Sequence, residues 1–283
     1  MNILNNIIDT TNYKLEKGIY SIPNEEVEKI SYPADSNNSC YSIEEKSFWF
    51  KHRNRIIVEL VKKFAPDNIF LDVGGGNGIV SNAILDAGIP AILVEPGVQG
   101  CINAKKRNIE SVFCMTFDKI SFLPSKKAVS IGLFDVIEHI ENDENFLQSI
   151  YDKIPKGSKL FFTVPAYQEL WSDEDILAGH YRRYTHESLR KVAEKVGFKT
   201  LFSTYIFSFL PIPIYIFRVI PFLLRSKFKS INEKIDSDSA NTHTVNNSIG
   251  EKILNKISIF ERMLVRRLIT FPFGGSVLLV VEK

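Results

Sequence analysis

The chain has 283 residues, 45% of them hydrophobic and 24% charged, with 35 basic against 33 acidic side chains. That apolar fraction and length support one large core or two small ones and exclude wholesale disorder, while a net charge of +2 argues against a nucleic-acid-coating protein. Three cysteines without a CxxC pair (Cys40, Cys101, Cys114) exclude a disulfide framework or zinc finger and suit a reducing cytoplasm; the N-terminus carries no secretion signal.

Residues 1–42 mix Asn, Ser, Pro and charge without periodicity and read as an N-terminal arm. From Ile43 the pattern tightens: Phe48, Ile56, Ile57, Leu60, Val61 and Phe64 recur at helical spacing up to Pro66. Short apolar runs at 69–73, 91–95, 111–115, 128–134 and 159–164 then alternate with helical patterns at 79–87, 98–108 and 143–153. Strands that are apolar throughout belong to a parallel sheet covered on both faces. Residues 197–206 supply a further strand. From Thr200 to Phe217 there is no charged residue, and apolar sequence continues to Leu224. A membrane-spanning helix needs about 20 apolar residues, and Pro211, Pro213, Pro221 and Arg218 oppose one. An interfacial segment or a hydrophobic lid is the better reading. Residues 226–250 are polar and read as a loop. A basic amphipathic helix follows, with Ile253, Ile257, Phe260, Leu264 and Leu268 on one side and five basic residues against Glu251 and Glu261. That face suits an anionic membrane surface, the sheet itself, or a homodimer contact. A closing strand occupies 276–281.

The sharpest motif is Asp72-Val73-Gly74-Gly75-Gly76-Asn77-Gly78, after a strand and opening a helix. Glycines allow a tight turn and close approach of a ligand to free helix N–H groups. Glu95 ends the next strand, where an acid can accept both hydroxyls of a ribose. The pair points to a nucleoside-bearing cofactor. A dinucleotide fingerprint would need glycine where Ile79 stands.

The spacing Asp72, Gly74, Gly76, Gly78 resembles motif I of the class I S-adenosylmethionine-dependent methyltransferases. Phe48-Trp49-Phe50 with Arg53-Asn54, the stretch Gly132 to Ile140, Thr163 to Tyr167 and Gly179 to Thr185 follow in family order, similar to bacterial UbiE/UbiG-like members (types 11 and 23). The resemblance covers roughly 45–206 and 273–283. It implies a Rossmann-like, doubly wound α/β fold: a seven-stranded sheet, mostly parallel with an antiparallel last strand. The organisation is then an arm (1–42), a cofactor-binding core (43–206), a hydrophobic and basic insertion (207–272) and a closing strand (273–283).

Carried over residue by residue, the resemblance implies S-adenosylmethionine as cofactor and S-adenosylhomocysteine as product. Asp72, Gly74, Gly75, Gly76 and Gly78 take the methionine end and Glu95 the ribose. Thr116 and Phe117 stand where members often place an acid for adenine. Phe134 and Asp135 fall where the cofactor's amino group is held, and Arg53 reaches its carboxylate. His139, His180 and Asp175 are the candidate catalytic residues; Trp49, Tyr181, Arg182 and Arg183 are candidates for acceptor binding, the arginines suiting phosphate or carboxylate. His52, His186 and His243 read as surface or capping residues. Ubiquinone-pathway O-methyltransferases, which this segment resembles, imply a divalent-metal set of Asp135, Glu138 and His139 as an alternative; the primary reading assigns no metal, because Asp135 serves the cofactor. The function expected is O-methylation of a hydrophobic, glycolipid or cell-surface-glycan acceptor, small or lipid-linked. C-methylation of a quinone-like precursor and an inactive cofactor-binding regulator are the alternatives. The expected place is the cytoplasm, peripheral on the inner membrane face.

Overall fold

A computed structural model describes residues 7–23, 41–123, 127–228 and 248–283; His243 and most of the 226–250 loop lie outside them. The strands are β1 (Lys14–Glu16), β2 (Ile19–Ser21), β3 (Ile69–Val73), β4 (Ala91–Val94), β5 (Val112–Phe113), β6 (Val129–Phe134), β7 (Lys159–Pro165), β8 (Lys199–Ile206) and β9 (Ser276–Glu282). The helices are α1 (Phe48–Phe64), α2 (Ile79–Asp86), α3 (Val98–Lys106), α4 (Asp143–Lys153), α5 (Asp173–Ala178), α6 (His186–Val196), α7 (Pro211–Ile214), α8 (Ile220–Phe228) and α9 (Ser248–Arg266).

One sheet runs β1-β2-β5-β4-β3-β6-β7-β9-β8. The strands from β2 to β7 pair in parallel, and β9 is antiparallel to both of its neighbours. The doubly wound fold and the antiparallel last strand are as expected, but the described residues hold nine strands, not seven. The two additional strands come from the residues read as an arm. Lys17 (φ 49°) and Gly18 (φ 77°) both take positive φ, a two-residue turn that closes β1 on β2. β2 then covers the otherwise open edge of β5, where Tyr20 stacks on Phe113 at 4.7 Å. Three-residue strands carry too little alternation to show as a pattern.

Two apolar clusters cover the sheet faces. One joins Leu71, Ile131, Phe162, Leu189 and Val277; the other joins α1 residues Ile56, Ile57 and Leu60 to Phe70, Phe161 and Val280. The loops after β3 and β6 diverge from adjacent strands at the sheet's carboxyl edge, the crevice in which such sheets bind ligands.

Between β8 and β9 the apolar run leaves the sheet. Pro211 opens α7, where its missing N–H costs nothing. A π-helical turn (Tyr215–Val219) follows, closed by Ile220 N–H donating to the Tyr215 carbonyl. It lies just before Pro221, which has no N–H to continue the ordinary ladder. Ile212 (72% exposed) and Phe217 (76%) point outward here, with Leu223 and Leu224 also exposed. No helix among the described residues is long and apolar enough to cross a membrane.

The basic helix turns part of its expected apolar side inward, with Ile257, Leu264 and Leu268 half-buried, but it is rotated from the sequence reading. Its buried side is Ser258, Glu261 and Val265, whereas Ile259 and Phe260 are exposed. The rotation follows one polar contact. Buried Glu261 meets His52 Nε2 at 2.6 Å and accepts the amides of Phe207 (3.0 Å) and Ser208 (2.9 Å). His52 is therefore a core residue and not a surface one.

Candidate active site

Asp72, next to last in β3, is buried, and one carboxylate oxygen accepts both the backbone N–H (3.0 Å) and hydroxyl (2.8 Å) of Ser81 in α2. It clamps the first turn of α2 against the strand, which sets the glycine loop. Burial pushes its pKa up to about 6 despite the Ser81 bonds. Gly76 (φ 53°) and Gly78 (φ 78°) take left-handed backbone that side chains resist. At Gly75 the constraint is space: a Cβ there would lie 2.3 Å from Leu93 Cδ1 and 2.6 Å from the Asp72 carboxylate. Gly75→Ala is expected to lower stability by about 1–3 kcal/mol, as overpacking does, and to weaken S-adenosylhomocysteine binding. Denaturation and calorimetry on the same preparation check both; wild-type values would refute the close fit.

Glu95 faces the loop from the end of β4. Its two oxygens accept Gly76 N–H (2.9 Å) and Gly97 N–H (2.7 Å), and burial raises its pKa to about 7. Each oxygen keeps further acceptor capacity toward a ribose. Beyond it, Pro96, Cys114, Met115 and Thr116 line a cavity of about 600 Å³ whose far wall is β2. The buried Thr116 hydroxyl has no protein hydrogen-bond partner, so a polar ring edge fits there. Phe117 does not line this cavity. It is buried in the core against Phe122.

At the other end Asp135 follows β6 with φ 56°, held by its N–H to the Thr163 carbonyl (2.8 Å). Its carboxylate is ion-paired with Arg53 of α1, whose guanidinium lies 4.5 Å from the Trp49 ring centre. Arg53 and Asp135 thus come together as a pair. Phe134 is a core residue, parallel to Phe70 at 6.2 Å.

A short 3-10 turn, Ile137–His139, comes next. Glu138 is fully buried, and outside its own residue neither carboxylate oxygen has a hydrogen-bond partner. Burial and then Asp135 hold its pKa well above the ordinary value. Tyr181 N–H donates to the Glu138 carbonyl (2.8 Å), so the loop after α5 folds back over this turn. That contact sets the His139 and His180 rings edge to face, 4.7 Å apart. Burial, then His180, lowers the His139 pKa to about 4. His180 Nδ1 lies 2.9 Å from Asp175. Asp175 also accepts Arg183 Nε (2.7 Å) and Nη2 (2.9 Å); burial opposes its ionisation, but the His180 and Arg183 bonds prevail and its pKa falls to about 2. An ionised Asp175 makes His180 Nδ1 the donor and leaves Nε2 for the cleft.

The arginines proposed for an acceptor are largely spent within the protein. Arg183 forks onto Asp175 and the Ala166 carbonyl (3.2 Å). Arg182 donates to the carbonyls of Ile140 and Glu141 and pairs with Asp143 at 3.0 Å. Both brace the loop. Tyr181 is half exposed, and Trp49 stacks on Phe207 at 5.5 Å.

One network had no reading in the sequence. Arg107 donates to the Asn77 carbonyl (2.6 Å) and pairs with buried Glu44 (2.9 Å), while Glu44 accepts Asn77 Nδ2 (3.0 Å). It ties the segment before α1 to the glycine loop. Asn77 inside the motif was its one visible signal.

A family model described as a methyltransferase domain matches residues 48–201, just over half of the chain. No curated protein matches by sequence. Among solved structures, the chain is similar to a methyltransferase of Haloferax volcanii in complex with its Trm112 activator: TM-score 0.51, 14% identity, covering 88% of this chain and 93% of that one. It is also similar to an Archaeoglobus fulgidus SAM-dependent methyltransferase (TM-score 0.47, 15% identity, 83% and 100% covered). A third is Haemonchus contortus phosphoethanolamine N-methyltransferase 2 in complex with S-adenosylmethionine (TM-score 0.46, 15% identity, 81% and 52% covered). At 14% identity the Haloferax volcanii structure speaks for the fold alone, while the family match and the glycine-loop geometry speak for the cofactor. The chain belongs to the methyltransferase domain family and is a class I methyltransferase that uses S-adenosylmethionine.

Proposed function

We propose that the chain methylates a hydroxyl of a hydrophobic, glycolipid-type acceptor. The observation that carries this reading is the histidine pair, His139 against His180, over the buried Glu138 and beside the Arg53–Asp135 end of the cofactor site. Methyl transfer is an in-line displacement: the acceptor oxygen attacks, an O–C bond forms as the C–S bond breaks, and the hydroxyl proton must leave. Bound S-adenosylmethionine supplies the electrophilic methyl carbon. The protein's share is alignment and removal of that proton. Asp175, fixed by Arg183, holds the His180 ring in one orientation, so the histidine pair marks the place where the acceptor hydroxyl gives up its proton.

The exposed apolar residues of the insertion, Ile212, Phe217 and Leu224 among them, support a greasy acceptor, and the basic residues of α9 support an anionic membrane face. On this reading the protein works in the cytoplasm at the inner membrane surface. The test is mass spectrometry of lipid and glycan extracts incubated with protein and S-adenosylmethionine. Wild type is expected to add one CH2 unit to a lipid-linked species, and Asp175→Asn to slow it by about 10²-fold or more, the usual weight of positioned proton transfer. Product confined to water-soluble amines would refute the acceptor class. Protein that stays in the supernatant with anionic vesicles at low salt would refute the membrane surface.

A further inference from the structure

The Glu138 carboxylate poses a problem that the methyltransferase reading leaves unsolved. It is fully buried, and outside its own residue neither oxygen meets a donor. A carboxylate in that state is costly unless it is protonated or meets a cation. Two imidazoles lie against it. One ligand atom each from Glu138, His139 and His180 falls within 4.8 Å of the others. Around a four-coordinate ion, N and O donors stand about 2.0–2.2 Å from the metal, so rotamer adjustment of an ångström brings these three into range.

We propose that Glu138, His139 and His180 hold a divalent transition-metal ion, with its remaining positions open to the acceptor's hydroxyl. Two imidazoles and one carboxylate suit zinc, cobalt, iron or manganese better than magnesium or calcium, which favour oxygen alone. The surrounding shell is of the kind that orients such ligands. His180 donates Nδ1–H to Asp175 at 2.9 Å, which fixes its tautomer and presents Nε2, and Arg183 in turn holds Asp175 by two bonds. Asp135, grouped with Glu138 and His139 from the sequence, is not in the set: its carboxylate is turned to Arg53. His180 replaces it, from a loop 41 residues further on. What the ion would do rests on the proposed acceptor: a hydroxyl at an open position loses its proton to water more readily, and both imidazoles stay neutral.

Whether the ion binds is testable without any acceptor. Protein stripped with EDTA and dialysed is titrated with Co²⁺ while the visible d–d absorption is followed. One equivalent is expected, displaced by Zn²⁺. Glu138→Gln and His180→Gln are expected to lose the absorption or weaken binding at least tenfold, and Asp175→Asn to weaken it about 10–100-fold, as loss of an orienting partner does. S-adenosylhomocysteine binding, measured on each variant, reports that the fold is intact. No Co²⁺ uptake by wild type overturns the site outright, and so does an unchanged spectrum in folded Glu138→Gln and His180→Gln. Should one variant not fold, the wild-type titration and the other variant decide. Stoichiometric Co²⁺ with no methylated lipid-linked product would leave the ion site standing and remove the acceptor reading.

Discussion

Glu95→Ala is expected to lower S-adenosylhomocysteine affinity about a hundredfold or more. Two ribose hydroxyls donating to a carboxylate are worth about 1.5–3 kcal/mol each, so about 3 kcal/mol is the low end of the loss. The same side chain also tethers Gly76 and Gly97 through their amides, so its removal loosens the glycine loop it faces. Isothermal calorimetry measures the change, and a loss below tenfold would mean that Glu95 is a loop tether only. A pH dependence accompanies it. Burial raises the Glu95 pKa from 4.5 to about 7, and the ribose needs the ionised form. Affinity is therefore expected to hold above pH 7 and to fall by up to tenfold per unit below it, with proton release on binding. Glu95→Gln flattens that profile. In the cofactor-free protein the sign for stability is the reverse of an ordinary salt-bridged acid. The native state keeps a proton on Glu95, and on Asp72 with its pKa of about 6, that the unfolded chain has already lost. Their contribution is complete below about pH 4 and declines as pH rises through 6 to 7.

The largest stability effect is expected at Glu261. Glu261→Ala strands the amides of Phe207 and Ser208 and the buried His52 together, and breaking a buried pair of this kind costs about 3–5 kcal/mol. Phe207 holds a left-handed backbone (φ 58°) that a non-glycine residue keeps only under such constraint. Urea unfolding should show a lower midpoint with an unchanged slope, since the exposed surface on unfolding stays the same. A change below 1 kcal/mol would show that α9 docks by Val265 and its apolar neighbours alone. Burial opposes ionisation of Glu261, yet the His52 and backbone bonds hold its pKa below the ordinary value. The stability it adds is therefore present above the usual carboxylate range and lost as pH falls through it.

The difference between Glu95 and Glu261 shows what can be read from a linear chain. Glu95 was legible because a strand end fixes where its carboxylate goes once the glycine loop two elements earlier is recognised. Arg53 and Asp135 were singled out through a resemblance that carries residues in order, but their pairing with each other was not legible there. Glu261 was one charge on an amphipathic helix, and nothing in its neighbourhood announced a partner 209 residues away. Glu138 and His139 stood in a readable motif, but their placing against His180 depends on one backbone contact, Tyr181 to Glu138. The β1–β2 hairpin left no pattern because three-residue strands are too short for one.

Composition, periodicity and one glycine motif by themselves determined the parallel sheet, its helices and the cofactor, since each is written in adjacent residues with a fixed period or spacing. Tertiary structure alone decided which polar side chains are buried, which arginines are spent on the protein, which face of α9 turns inward and which histidines meet. These depend on how distant segments pack, and desolvation there is strong enough to change what a side chain can do. The chain with two charges of excess and 45% hydrophobic content is ordinary in its averages; the chemistry lies in a few buried charges that the averages cannot register.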